Sequence, residues 1–312
     1  MSVPSLSRSS LVVGVVLSLF FTMQAWAASA PTKLIGGSLD QIIPAANGSF
    51  LGWSQNRTGK RSYDAWVQTL PVGSGTPVRL NPSGSRGYMG GIRADTNEAI
   101  YERVSSAGSD LWIVPDLTNP TAQTAAPARI NSVRQEAFPS ISNKFILFTR
   151  ASNRYWSVLL YDRLADTLTR LARAPASCLC LISGQVSGRY VTWTKCSDVD
   201  HCNAHYLDTM TSTKGVFPNP SGRPLYGGTI SAATGNMYAV RSGASCGRRV
   251  RVMRWHVGSA TAPAVVASFP TGTDLVTRLF VYNDTVHDTV YFDPASCATA
   301  LGDIYEVTSA ET

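Results

Sequence analysis

An aromatic or large aliphatic residue followed by two polar ones recurs six times along this chain, at nearly constant spacing. Trp53 (FLGWSQ), Tyr101 (AIYERV), Phe148 (FILFTR), Trp193 (YVTWTK), Val240 (MYAVRS) and Phe292 (TVYFDP) lie 48, 47, 45, 47 and 52 residues apart. Around Phe148 the unit is legible in full. Residues 143–172 (NKFILFTRASNRYWSVLLYDRLADTLTRLA) alternate strand, polar tip, strand, tight turn and strand, the pattern of an antiparallel meander. A second element recurs in step: DAWVQTL from Asp64, DLWIVPD from Asp110, WSVLLYD from Trp156, AHYLDTM from Ala204, VRVMRWH from Val250 and DIYEVTS from Asp303. One meander cannot bury both of its faces, so the copies must stack on each other. A period in the forties with three or four strands per unit is that of a propeller blade.

The chain is therefore expected to be all-β: a six-bladed β-propeller of four-stranded antiparallel blades, spanning residues 28–312 as a single domain. Blades fall at about 37–81, 86–131, 135–172, 178–218, 224–270 and 274–309. Their innermost strands are read as QIIPA, GGIRA, FPSIS, LISGQVS, GGTIS and RLFVY. The last blade runs out of chain after its third strand. Residues 32–35, at the mature N-terminus, are expected to supply the fourth and close the ring, leaving no bare edge to template aggregation.

Finer features narrow the type of blade. The second recurring strand opens with Asp and an apolar partner in Asp64-Ala65-Trp66, Asp110-Leu111-Trp112 and Asp303-Ile304-Tyr305. Turns lead on to Pro77-Val78-Arg79-Leu80-Asn81, Pro127-Ala128-Arg129-Ile130-Asn131 and Thr169-Arg170-Leu171. Over residues 33–308 this resembles the repeat of TolB-like six-bladed propellers, in degenerate form. The resemblance implies an envelope interaction protein. Neither the N-terminal domain that accompanies the propeller in TolB nor a hydrolase domain is read in the chain, so membership of the TolB complex is not expected.

Residues 1–27 read as a signal peptide: Arg8, an apolar run over 11–21, and Ala25-Trp26-Ala27 before the cut. That run is about half the ~20 apolar residues needed to span a bilayer, and no later stretch reaches that length. A periplasmic or secreted protein with no transmembrane anchor after cleavage is expected. Formal charge is +7, with the basic residues scattered. The one local excess, Arg248-Arg249-Val250-Arg251 with Arg254, alternates with apolar residues as the solvent face of a strand does, so no nucleic-acid partner is expected.

All six cysteines lie in the second half, and an even count in an exported chain argues for disulfides. Cys196 and Cys202 bracket one hairpin tip and are the favoured pair. Cys246 and Cys297 occupy equivalent hairpins of neighbouring blades and could meet across the gap. Cys178 and Cys180 share a strand face, which disfavours a mutual bond. Either could instead join Cys196 or Cys202.

Three constellations could carry chemistry. Cys196, His201, Cys202 and His205, with Asp198 and Asp200, have zinc-ligand types but lack paired C-x2-C spacing, and a disulfide is the expected use of the two sulfurs. Gly243-Ala244-Ser245-Cys246-Gly247 matches G-x-S-x-G, yet residues 248–255 read as a strand where a nucleophile elbow needs a helix. Asp40, Asp95, Glu136 and Asp284 are the axial acids, with no matched pair visible for glycoside hydrolysis. The expected functional surface is the mouth of the axial channel, with Arg93, Glu136, Gln185, Tyr226 and Arg278 as candidate ligand-binding residues. The reading is a non-enzymatic scaffold that binds another envelope or extracellular protein, or a glycan, without catalytic residues, metal or cofactor. Its alternatives are a glycan- or ester-acting hydrolase with axial acids and a carbohydrate-binding propeller.

Overall fold

A computed structural model describes residues 30–58, 62–177, 181–198, 201–242, 246–284, 286–299 and 301–309. The signal-peptide reading and Cys178 and Cys180 lie outside the described residues. Among the described residues, twenty-four strands form six four-stranded antiparallel sheets. Blade 1 is β2 (Gln41–Ala46), β3 (Phe50–Asn56), β4 (Tyr63–Thr69) and β5 (Val78–Arg79). Blade 2 is β6 (Arg86–Ile92), β7 (Ala99–Ser105), β8 (Gly108–Val114) and β9 (Thr124–Ala125). Blade 3 is β10 (Gln135–Ile141), β11 (Phe145–Ala151), β12 (Tyr155–Asp162) and β13 (Thr167–Pro175). Blade 4 is β14 (Leu181–Ser187), β15 (Tyr190–Asp198), β16 (His201–Asp208) and β17 (Thr213–Val216). Blade 5 is β18 (Leu225–Ile230), β19 (Asn236–Arg241), β20 (Arg251–His256) and β21 (Ala264–Ser268). Blade 6 takes β22 (Thr273–Asn283), β23 (Asp288–Ser296) and β24 (Ile304–Ser309), completed on its outer edge by β1 (Thr32–Ile35). The ring thus closes with the N-terminal strand, as the unpaired third strand of the last unit requires.

The core lies between blades. Successive side chains of a strand point to opposite faces, so Phe148 packs towards blade 2 with Ile100 and Leu111, while its neighbour Leu147 packs towards blade 4 with Leu181 and Val191. Each blade therefore needs apolar residues on both faces, which is why the middle strands read as nearly continuous apolar runs rather than as an alternation.

Every innermost strand carries a bulge against its neighbour. There the backbone leaves the ladder, with Ile43, Phe138 and Gly227 in the left-handed region, and the freed N–H reaches the previous blade. Met89 donates to Ser54 Oγ at 2.7 Å, Ser183 to Thr149 Oγ1 at 2.9 Å, Gly227 to Thr194 Oγ1 at 3.0 Å and Ile43 to Asp293 Oδ2 at 2.7 Å. Phe138 donates to the Glu102 carboxyl. These acceptors are the residues directly after the recurring aromatic.

Blade 5 departs from the sequence alignment here. The ladder sets Val240 opposite Tyr226, as it sets Thr149 opposite Ala137, so Ala239 and not Val240 is the counterpart of Phe148. An apolar residue consequently holds the acceptor position, and the Arg278 N–H of blade 6 turns to Asp293 of its own blade, at 3.3 Å.

Candidate functional site

The six innermost strands leave an axial channel, and two side chains close it at the waist. Arg278 on β22 is buried and reaches over to blades 3 and 4, where its Nη2 donates to the carbonyls of Pro139 at 2.9 Å and Gly184 at 2.5 Å. Burial pulls its pKa down to about 10. Gln185 on β14 pairs its amide with the backbone of blade 6. Nε2 donates to the Val281 carbonyl at 3.0 Å, and Oε1 accepts from the Val281 N–H at 3.1 Å and from the Thr229 hydroxyl.

Above Gln185, at the C-terminal ends of the innermost strands, lies a blind cup of about 530 Å3 lined by blades 2 to 6. Ile92, Ile141, Val186, Phe280 and Tyr282 make its walls, with Ala232 and Ala233 at the lip. Blade 1 is shut out. The Tyr282 ring lies close against Gly48 of the blade 1 hairpin, where a Cβ would come within 2.6 Å of its hydroxyl. The adjoining Asn47 amide donates to the carbonyls of Arg93 and Thr96.

The charges at the lip are spoken for. Arg93 grips Asp95 through Nη2 at 2.7 Å and Nε at 2.9 Å, holding that carboxyl below its ordinary range. Its Nη1 meets Glu98 at 2.8 Å, and Arg163 of blade 3 meets the same carboxylate at 2.7 Å. Lys144 stands 3.7 Å from Asp162. Asp95 is the one carboxylate among the described lining residues. The cup offers an apolar volume over backbone polar groups, ringed by fixed charges.

The structure does not bring the five nominated residues together. Arg93 is on the cup rim, and Gln185 and Arg278 are waist struts. Glu136 is fully buried at the other end of β10, bound by Arg150 at 2.7 Å and by Ser132. Burial raises its pKa against those two bonds. Tyr226, also at that far end, is half-buried against the core between blades 3 and 4. Reach explains the scatter: inner-strand residues all border the axis, but their depth along it decides whether they line a mouth or fill the bore. The sequence signal for the cup is the small and aromatic residues at the ends of the inner strands of blades 5 and 6, Ala232, Ala233 and Tyr282.

The remaining constellations resolve as structure. Cys196 is bonded to Cys202 across the β15–β16 hairpin, and Cys246 to Cys297 between the tips of blades 5 and 6. His205 stacks on Trp193. Gly243, Ala244 and Ser245 lie outside the described residues; Cys246 is consumed by its bond, and β20 comes next as a strand. Asp40 accepts from Tyr63 and from the Gly302 N–H, and Asp284 from the Val286 and His287 N–H groups. Asp64 is clamped by Arg57 and Asn81. Burial works to raise it, and those bonds outweigh burial and hold it below the ordinary carboxylate range.

A closed ring of six four-stranded blades with this strand order is the TolB-like six-bladed β-propeller fold. No known family profile and no curated protein matches the chain. Among solved structures it is similar to a putative TolB from Agrobacterium tumefaciens, with a TM-score of 0.57 and 11% identity over 87% of this chain and 91% of that one. It is similar also to TolB from Acinetobacter baumannii, with a TM-score of 0.56 and 12% identity over 84% of this chain, spanning 65% of that protein. An oligogalacturonate lyase from Vibrio parahaemolyticus is similar at a TM-score of 0.52 and 10% identity, over 88% of this chain and 80% of that one. At such identities the likeness is one of fold.

Proposed function

We propose that this chain is an exported, non-enzymatic binding domain whose blind axial cup receives an apolar side chain from an extended segment of another envelope or extracellular protein. The observation that carries this reading is the sealed waist. Arg278 and Gln185 turn a channel into a cup, and its walls are apolar while its rim charges are internally paired. Concave apolar volumes over a few fixed polar groups are where ligands and anchoring side chains bind. Two disulfides support export, since such bonds persist in oxidising compartments. Catalysis finds little support in the cup, where Asp95 is committed to Arg93.

The test fills the cup. A photo-crosslinker at Ala233 should capture one species from envelope extract, and Ala232→Trp should abolish the capture while leaving the melting temperature unchanged. Equal capture by the filled variant would move binding elsewhere. Turnover of a peptide, ester or glycan that Asp95→Asn removes would overturn the non-enzymatic reading.

A further inference from the structure

On the opposite end of the ring, blade 5 assembles four arginines without an acid. Arg241 ends β19 and stands directly across the ladder from Arg251, the first residue of β20. Arg223 precedes β18, and Arg248 lies on the hairpin tip between β19 and β20. Like charges set directly opposite each other across a ladder destabilise it. Blade 3 has an arginine in the same place as Arg241, and there the problem is solved. Arg150 faces Glu136 across its ladder and binds it at 2.7 Å. In blade 5 the residue facing Arg241 on that side is Leu225.

Among the described residues no carboxylate takes the place of Glu136. Among the described residues no ion pair includes Arg223, Arg241, Arg248 or Arg251. The Nε atoms of Arg223 and Arg241 are buried without a hydrogen-bond partner, an arrangement that is costly for a cation unless a counter-charge arrives. Burial, and then the charges of Arg248, Arg241 and Arg251, depress the Arg223 guanidinium. The group is held in position. Arg223 Nη2 donates to the Ser242 carbonyl, and the tip is tied to blade 6 by Cys246–Cys297, by Gly272 N–H to Cys246 O at 3.1 Å and by Cys297 N–H to Gly272 O at 2.8 Å.

We propose that this cluster is an anion site for a phosphate group. A single carboxylate supplies one charge and two acceptor atoms. A phosphate supplies about two charges and three or more oxygens, which several guanidinium forks can bind at once. The group can come free or as the phosphomonoester headgroup of a lipid, and the site lies on the hairpin-tip rim, away from the cup.

The experiment titrates inorganic phosphate into the whole protein by calorimetry and follows the melting temperature, with acetate and chloride at equal ionic strength as controls. Saturable phosphate binding and a rise in melting temperature are expected, with affinity weakened about tenfold or more in Arg241→Gln and Arg251→Gln, the loss of one charge-assisted bond. Without phosphate, both variants should melt higher than the parent because the repulsion is relieved. Retention on phosphatidic acid vesicles but not on phosphatidylglycerol or phosphatidylcholine ones, without free-phosphate binding, would assign the phosphate to a headgroup. An equal response to acetate or chloride, a phosphate response that survives both substitutions, or no response to phosphate or vesicles overturns the proposal.

Discussion

Arg278 Nη2 lies 2.5 Å from the carbonyl oxygen of Gly184, two blades away around the ring. One side chain thus ties blade 6 to blade 4, and through Pro139 to blade 3, across the axis. Arg278→Met removes two charge-assisted hydrogen bonds and orphans two carbonyls. It also relieves a buried cation whose Nε and Nη1 have no partner. The balance is expected to be a loss of about 2 kcal/mol. Urea unfolding reads it directly, and unchanged or increased stability would mean that the strut does not hold the ring.

Glu102 gives the fold a pH dependence. Burial pushes its carboxyl up to about 8 against the Phe138 N–H and the nearby Ser109 hydroxyl, while Glu136 adds repulsion. Because the folded value is raised, the stability linked to this group is whole below the unfolded carboxylate range and is lost as pH climbs through about 8. Glu102→Gln keeps an acceptor for the Phe138 N–H and drops the titration. The variant should match the parent at pH 5 and melt higher at pH 9. Parallel melting curves across that range would contradict the assignment.

The two disulfides close loops of very different length, 6 and 51 residues in sequence separation. By chain entropy the Cys246–Cys297 bond contributes about 4 kcal/mol and the Cys196–Cys202 bond about 2 kcal/mol. Paired serine substitutions at each bond, compared by guanidinium denaturation, should preserve that order. A larger loss at the Cys196–Cys202 hairpin would show that local packing, not loop closure, sets their worth.

Removing residues 30–36 strips β1 from β24 and breaks the Lys33–Asp303 ion pair. The bared β24 edge should recruit other chains, so the truncated protein is expected to sediment as dimers and larger species. A truncated protein that stays monomeric with its original melting temperature would show that the ring does not depend on this strand.

Much of this architecture can be read from the residues. In the blades other than the fifth the recurring aromatic marks the middle of the blade because that strand is buried on both faces, and the polar residue after it is the acceptor that binds the next blade. Blade 5 hid its offset because Val240 is apolar at the acceptor position and Ala239 is too small to stand out as the counterpart of Phe148. The cup was harder to read. Gln185 and Arg278 look like mouth residues in the sequence, and their burial comes from the convergence of six strands on one axis.

The all-β class, the six repeats, the closing strand and the Cys196–Cys202 pair are legible in the residues alone, because spacing and alternation are local and each repeat states them again. That the channel is sealed, that its open end is an apolar cup, and that Arg241 faces Leu225 and Arg251 while Arg150 faces Glu136 emerge only in the folded ring. Those outcomes depend on which side chains meet across the ring and across the ladder, and such distances are set by the closure of all six blades together.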